Sequence, residues 1–360
     1  MTIQTTQEID ELDLALVNAL QINPRASWAV LGRTLDIDPA TVARRWERLR
    51  AAGHAWVTAY PFDRNGAGVG AIVEIDCEPG HNAAVARALS ADPQAITVEH
   101  TAGGRDLLLT LMAPSFADLS AYILERLSVL PGIRATRSHL TTRSYTEGSS
   151  WRLRSLDPAQ QHTVGDSRRP APSPGTAGTV DALEHRDLIL ALGEDGRMSL
   201  TDLAAAIGTS VNTAGRRLTK LIDSGALVLR CELARSLSGS PVSATFWAQV
   251  PPEHLDATAR ELAQLPEIRM IMGIAGPHNL VMTLWLRSVA EAQTLETRLA
   301  ERLLHLRTVD RAIALRAVKL MGRLLDPEGR AIGFVPLDIW ADPTAPGSGP
   351  ARHSADPTGE

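Results

Sequence analysis

The residues best suited to chemistry are arginines set at helical spacing. Arg44, Arg45 and Arg48 follow Ala40 and Thr41 in a stretch where Val42, Trp46 and Leu49 share one face for packing, which leaves the five on or beside the other face. Farther along, Asn212, Thr213, Arg216, Arg217 and Lys220 make a second outward set of the same kind. Guanidinium groups on one helix face bind phosphates and pair bidentately with guanine, and Asn pairs bidentately with adenine. The bland alternative is a solvated amphipathic face, which a single arginine-bearing helix most often is. The elements around these residues decide between the two.

Leu12, Leu16, Val17 and Leu20 recur at helical spacing between Asp10 and Gln21, and Asn23-Pro24 ends that helix. Ser27 caps a second helix with Val30, Leu31 and Leu35 on its apolar side. After a break at Asp36-Ile37, Asp38 supplies an N-cap oxygen and Pro39 takes the first helical position, where its missing N–H costs nothing. The third helix runs to about Ala52 and closes at Gly53. Such a set is a helix-turn-helix, which lays its last helix in the major groove of DNA. The second copy follows the plan with Ser199 to Ile207, a capping box of Ser199 and Asp202, Gly208 at the turn and a helix from Ser210 to Ser224. Gly215 inside that helix costs about 1 kcal/mol against Ala.

The copies are related by an offset of 172 residues. Leu16, Leu20, Arg25, Ser27, Leu31, Thr41, Arg44, Arg45, Leu49 and Gly53 fall without a gap on Leu188, Leu192, Arg197, Ser199, Leu203, Thr213, Arg216, Arg217, Leu221 and Gly225. At an offset of 173, Ala102, Gly103, Leu107, Thr110 and Leu111 meet Ala275, Gly276, Leu280, Thr283 and Leu284. A period this long is the duplication of a whole polypeptide. Residues 147–179, rich in Pro, Gly, Ser, Gln and Arg, read as a flexible linker spanning roughly 30 Å. The segment 341–360 reads as a disordered tail.

After a connecting segment around Val57 to Gly68, strands are expected at 69–75, 96–100, 106–112 and 133–142, with helices at 82–90 and 115–130. The second copy gives strands at 242–250, 268–273, 280–286 and 309–317, with helices at 253–265 and 289–306. The order βαββαβ is the ferredoxin-like pattern. The expected class is therefore α+β: two tandem units, each a winged-helix-like helix-turn-helix domain (1–57 and 180–228) followed by a ferredoxin-like effector and dimerisation domain (58–146 and 229–340).

A formal net charge of -5 argues against a protein that coats nucleic acid by bulk charge, but a reader needs cations only where a helix meets phosphate. Hydrophobic residues make up 44% and no stretch approaches 18 uncharged apolar residues, so no bilayer span is expected. Met1 to Glu11 is polar and acidic, without the pattern of a secretory signal, which points to the cytoplasm. Cys77 and Cys231 lack metal-ligand spacing, and neither a metal nor a cofactor is expected. Walker, GxSxG, HExxH and dinucleotide fingerprints are absent, and the run Gly66 to Gly70 precedes a strand instead of opening a helix.

The string Asp38-Pro39-Ala40-Thr41-Val42-Ala43-Arg44-Arg45, with Leu12-Asp13, Arg48-Leu49 and Gly53, resembles the Lrp/AsnC, or feast/famine, family of bacterial regulators. Ser210, Thr213, Arg216-Arg217, Leu221 and Gly225 through Val228 carry the same resemblance in the second copy. It implies double-stranded DNA as a partner, a nucleoid location and self-association of chains that are already pseudo-dimers. It also implies a small effector, typically an amino acid, near the turn between the second and third sensor strands. The matching turns hold Gly103, Gly104, Arg105 and Asp106 in one copy and Gly276, His278 and Asn279 in the other, where Pro277 replaces a glycine. Free N–H groups with Arg105 could hold a carboxylate, although a plain hairpin turn would use the same glycines. The tandem arrangement departs from the family's usual single unit. The sequence is also distantly similar to the sirohaem decarboxylases, which share the fold; His100, His139, His278 and His305 lie in or beside the sensor domains, but no His and Arg pair recurs at matched positions.

Overall fold

The computed structural model describes residues 9–62, 68–167 and 180–347. Helix α1 (Glu11–Ile22) begins at Asp10, whose carboxylate accepts from the Asp13 amide while Asp13 reaches back to the Asp10 amide. Ser27 caps α2 (Trp28–Leu35), which ends at Asp36 in the left-handed region (φ 54°). Asp38 and Pro39 open α3 (Pro39–Ala51) as expected. Leu16, Leu20, Leu31, Val42, Trp46 and Leu49 are buried together under these helices. The strand β1 (Ala55–Pro61), buried along its whole length, follows.

The first sensor unit is β2 (Val69–Cys77), α4 (Asn82–Ala91), β3 (Ala95–Ala102), β4 (Leu107–Ala113), α5 (Phe116–Ala121, prolonged by a π-helical turn at Tyr122–Leu127) and β5 (Ile133–Thr146). After α6 (Pro158–Asp166) the second copy supplies α7 (Arg186–Glu194), α8 (Leu200–Ala206), α9 (Val211–Ser224) and β6 (Leu227–Leu233). Its sensor is β7 (Val242–Gln249), α10 (Pro252–Leu262), β8 (Ile268–Ile274), β9 (Leu280–Leu286), α11 (Val289–Arg302) and β10 (Arg307–Leu320), extended by the hairpin β11 (Arg323–Leu325) and β12 (Ala331–Phe334).

The two sensor sheets are one. The strand order is β12-β11-β10-β3-β4-β2-β5-β8-β9-β7, and β10 also pairs with β7, so eight strands close on themselves. Closure comes from the long last strands: each spends its first half in its own sheet and its second half on the other copy. Thr141 thus stands opposite Ile274, and the equivalent Ala314 opposite Thr101. Strand alternation sends Val73, Ile75 and Leu109 under α4 and α5, while Ile72 and Leu108 turn inward to meet Trp247, Ile274 and Val281. The helix-turn-helix domains repeat the symmetry. β1 and β6 pair antiparallel with Thr58 opposite Arg230, equivalent residues, which puts a pseudo-two-fold axis through that rung.

Several expectations need correction. The connecting segment after Val57 begins as strand β1, so the boundaries at 57/58 and 228/229 each cut a strand that joins the copies. The proposed linker is folded as far as residue 167. Its Leu156 and Val164 are buried beneath the first helix-turn-helix, and Asn18 Oδ1 accepts the Ser155 and Leu156 amides at 2.8 and 3.1 Å. The polar composition hid a capping box of Asp157 and Gln160 with Pro158 at the first helical position. The proposed tail is ordered through residue 347: Gln94 donates to the Ala341 carbonyl (2.8 Å) and the Gly347 amide to Asp92 Oδ1 (3.1 Å). Residues 168–179 and 348–360, and Gly66-Ala67 of the glycine-rich run, lie outside the described residues.

Candidate nucleic-acid interface and effector turns

Helices α3 and α9 place the outward sets where a last helix of this motif presents them. In α3, Ala40 and Arg44 are exposed and Thr41 is half-buried beside Val42, which packs inward. Arg45 and Arg48 are engaged. Arg45 Nη1 binds Asp10 (2.8 Å) and Asp13 (2.9 Å), and Arg48 Nη2 binds Asp13 (2.5 Å), a carboxylate with no solvent exposure. These two arginines tie α3 to the start of α1, and sequence spacing alone did not show it. Arg44 carries no ion pair among the described residues.

In α9, Asn212, Arg216 and Lys220 are exposed. Thr213 accepts from Ser210 Oγ (2.9 Å) within the helix cap, and Arg217 lies 3.9 Å from Asp187. Burial, then the charges of Lys220 and Arg217, push the nearby His185 imidazole below its ordinary value, opposed by Glu184 and Asp187.

Around the first glycine turn, Gly103 (φ 122°) and Gly104 are exposed, but Arg105 is buried. Its Nε donates to Glu74 (2.9 Å), its Nη2 binds Asp310 of the second copy, and its guanidinium lies 4.2 Å from the Trp247 ring centroid. The expectation of an open arginine waiting for a carboxylate is therefore corrected: two carboxylates of the chain hold it already. Glu74 also accepts from Arg137 (3.1 Å) and meets His139 Nε2 (2.8 Å). Burial alone would raise the Glu74 carboxyl, but the His139 hydrogen bond, the Arg105 charge and the Arg137 hydrogen bond hold it at about 2. Glu74, Trp247 and Asp310 escaped the sequence reading, in which His139 is only one histidine among four; the one signal was a carboxylate between Val73 and Ile75 in an apolar strand.

Asp106 accepts from the Cys77 amide (2.7 Å) and Asn82 (3.0 Å), so it braces the turn. Asn279, its counterpart, braces the second turn through the Val250 amide (3.0 Å) and carbonyl (2.7 Å). Gly276 (φ 146°) is exposed, and His278 Nδ1 is buried without a hydrogen-bond partner among the described residues. Of the other histidines, His305 stacks on His254 at 3.6 Å and His100 lies on β3.

The closed sheet and the β1/β6 ribbon enclose a cleft of about 1560 Å³, walled by Ile72, Thr110, Met272, Thr283 and Trp285. Three of its arginines are held by acids: Arg230 meets Glu147 and Glu232, Arg235 meets Glu99, and Arg269 meets Glu232, while Arg25, Arg143, Arg152 and Arg316 also line it. Among the described residues no group of three His, Cys, Asp or Glu side chains is placed to hold a metal ion, and no helix is long and apolar enough to cross a membrane.

Comparison with known proteins adds the following. Residues 9–50 and 186–222 match the AsnC-type helix-turn-helix domain, and residues 70–151 the Lrp/AsnC ligand binding domain. An uncharacterised HTH-type transcriptional regulator of Pyrococcus horikoshii is 27% identical over 138 residues, 38% of this chain and 87% of that protein. One of Pyrococcus abyssi is 28% identical over 138 residues, again 38% of this chain and 87% of the relative. The solved siroheme decarboxylase NirDL, in co-complex with an iron-uroporphyrin III analogue, shares the fold across both copies: TM-score 0.55, 13% identity, 86% of this chain and 93% of that one. Two matches to the AsnC-type helix-turn-helix domain at the repeat's spacing, with one to the Lrp/AsnC ligand binding domain, make this chain similar to the Lrp/AsnC family of regulators over both helix-turn-helix domains and the first α/β unit.

Proposed function

We propose that one chain acts as a covalent pseudo-dimer whose α3 and α9 read two unlike DNA half-sites, with Ala40, Thr41 and Arg44 facing one and Asn212, Thr213, Arg216, Arg217 and Lys220 the other. The observation that carries this reading is the exposed, unpaired Arg44 at the place equivalent to exposed Arg216, on helices related by the axis through Thr58 and Arg230. Arg45 and Arg48 serve the site by fixing the angle of α3 and contact phosphate only from their outer edges. Ala40 and Asn212 are equivalent, and only Asn can pair bidentately with adenine, so the half-sites differ. A small effector of the amino-acid class binds at the glycine turns, more tightly at the first, where Gly103 and Gly104 leave two amides free to approach it. Such pseudo-dimers then self-associate.

Gel-shift titration over a salt series tests the DNA-reading role, with duplexes selected from a random pool by the wild-type chain. Arg44→Ala with Arg216→Ala should weaken binding and flatten the plot of log affinity against log salt by close to one unit per lost phosphate contact. An unchanged slope would remove both residues from the interface.

A second reading rests on the fold shared with a siroheme decarboxylase and on the central cleft. A tetrapyrrole polycarboxylate would seek cations there; the pairing of Arg230, Arg235 and Arg269 with Glu147, Glu99 and Glu232 weighs against it, whereas Arg316 in the same lining carries no ion pair among the described residues. Absorbance titration with sirohaem separates the two: a tight coloured complex in a chain that selects no DNA would overturn the regulator reading.

A further inference from the structure

Arg25 and Arg197 are equivalent residues of the repeat, in the loops between α1 and α2 and between α7 and α8, and neither helix-turn-helix core uses them. Each reaches across to the other copy. Arg25 donates through Nη1 to the Gly196 carbonyl (2.6 Å) and through Nη2 to that of Met198 (2.9 Å). Arg197 donates through Nη1 to Pro24 (2.6 Å) and through Nη2 to Ala26 (2.9 Å). Each guanidinium fork thus spans the two carbonyls that flank the opposite arginine, the reciprocal contact that a two-fold axis generates.

The surroundings tighten this exchange. The Arg197 guanidinium lies 3.9 Å from the Trp28 ring centroid. The Gly196 amide donates to the Val57 carbonyl (2.9 Å), and a Cβ on Gly196 would stand 2.5 Å from Val57 Cγ1, so the loop sits directly against the ribbon. Burial draws both guanidinium groups below their ordinary value, that of Arg197 to about 10, which fits cations held away from water. The ribbon alone is two strands, and two-stranded ribbons twist easily. A second attachment outside its strands fixes the angle between the reading domains.

We propose that the Arg25 and Arg197 clasp determines specificity by holding α3 and α9 at one separation, and so sets the spacing between half-sites that the chain accepts. It rests on the DNA-reading role of α3 and α9. A duplex turns once in about 10.5 base pairs, so a spacer changed by about half a turn carries one half-site to the opposite face. A clasped pair then loses one contact, whereas an unclasped pair can twist to follow.

The test uses the full chain and duplexes selected from a random pool by wild type, with the spacer between half-sites lengthened or shortened by two and by five base pairs. Wild type is expected to lose about tenfold or more in affinity at the wrong spacing, since one of two half-sites is given up. Arg25→Ala with Arg197→Ala should lose less than about threefold while binding an isolated half-site as wild type does. The pair Arg25→Lys and Arg197→Lys keeps the charge but cannot fork across two carbonyls, so it should behave like the alanine pair, and it carries the test if the alanine pair fails to fold. Wild-type spacing preference in either folded pair overturns the proposal. If wild type selects no sequence at all, the DNA-reading role itself fails and the clasp falls with it, a result distinguishable from failure of the clasp alone.

Discussion

A lysine without solvent exposure must spend its charge on whatever the core offers, and Lys319 of β10 is offered the Asp92 carbonyl, at 2.8 Å from Nζ. The Asp92 carboxylate itself is taken by the Tyr122 hydroxyl (2.8 Å), Arg126 (3.2 Å) and the Gly347 amide (3.1 Å). Burial, partly opposed by the Asp92 charge, pushes the Lys319 ammonium down to about 7. Between about pH 7 and 10.5 the unfolded chain therefore binds a proton that the folded chain does not, and stability rises with pH across that window. The group contributes at most about 1.4 kcal/mol per pH unit. Lys319→Met should be more stable than wild type near pH 7 and should lose that part of the slope in urea unfolding followed from pH 7 to 9; parallel profiles would refute the assignment. The same scale explains why Arg45 and Arg48 were legible as cations and illegible as ion-pair partners. Asp13 reads as an ordinary first-turn acid, and nothing in its spacing tells that α3 will fold back over it.

Two glycines, one closing α3 and one inside α9, have opposite consequences for their elements. Gly53 closes α3 with φ 68°, and a Cβ there would lie 2.3 Å from the Ala331 carbonyl of β12. Gly53→Ala should destabilise the chain by about 2 kcal/mol or more, since strain and backbone collision add. Gly215 inside α9 has ordinary helical geometry, and an added Cβ would meet Leu200 Cδ1 at 3.5 Å. Gly215→Ala should stabilise by about 0.5 to 1 kcal/mol. Thermal unfolding of both variants checks the pair, and equal shifts in one direction would refute the distinction. Elements carried by local signals were legible here: the caps at Ser27, Asp38 and Ser199, and the apolar periods of both βαββαβ units. Elements made by distant partners were not. β1 and β6 form because they find each other, and β11 and β12 because Ala331 donates to the Gly53 carbonyl (2.8 Å) and Phe334 packs beside Gly193. Of the site, the exposed set was legible, while the carboxylates that hold Arg45, Arg48 and Arg105 come from other elements and left no mark at helical or strand spacing.

At the scale of the whole molecule, neither half has a complete sheet. β5 needs β8, β10 needs β3, and β1 needs β6, so each half alone would expose long unpaired strand edges, which recruit other chains. The pairings do the assembling, and the covalent link between the halves raises the effective concentration of one half for the other. Cutting it should leave the fold in place and change its molecularity. A site-specific protease sequence placed within residues 168–179 should allow a cut after which both pieces elute together at the volume of the intact chain. The midpoint of thermal unfolding should then rise more steeply with protein concentration than it does before the cut, because unfolding now releases one chain more. Residues 1–167 produced alone should pair with a second copy of themselves or aggregate, since the same strand ends seek partners. Separation of the cut pieces in native buffer at low micromolar concentration would mean that the halves are independent domains on a string, and the shared sheet could not then be what positions α3 and α9.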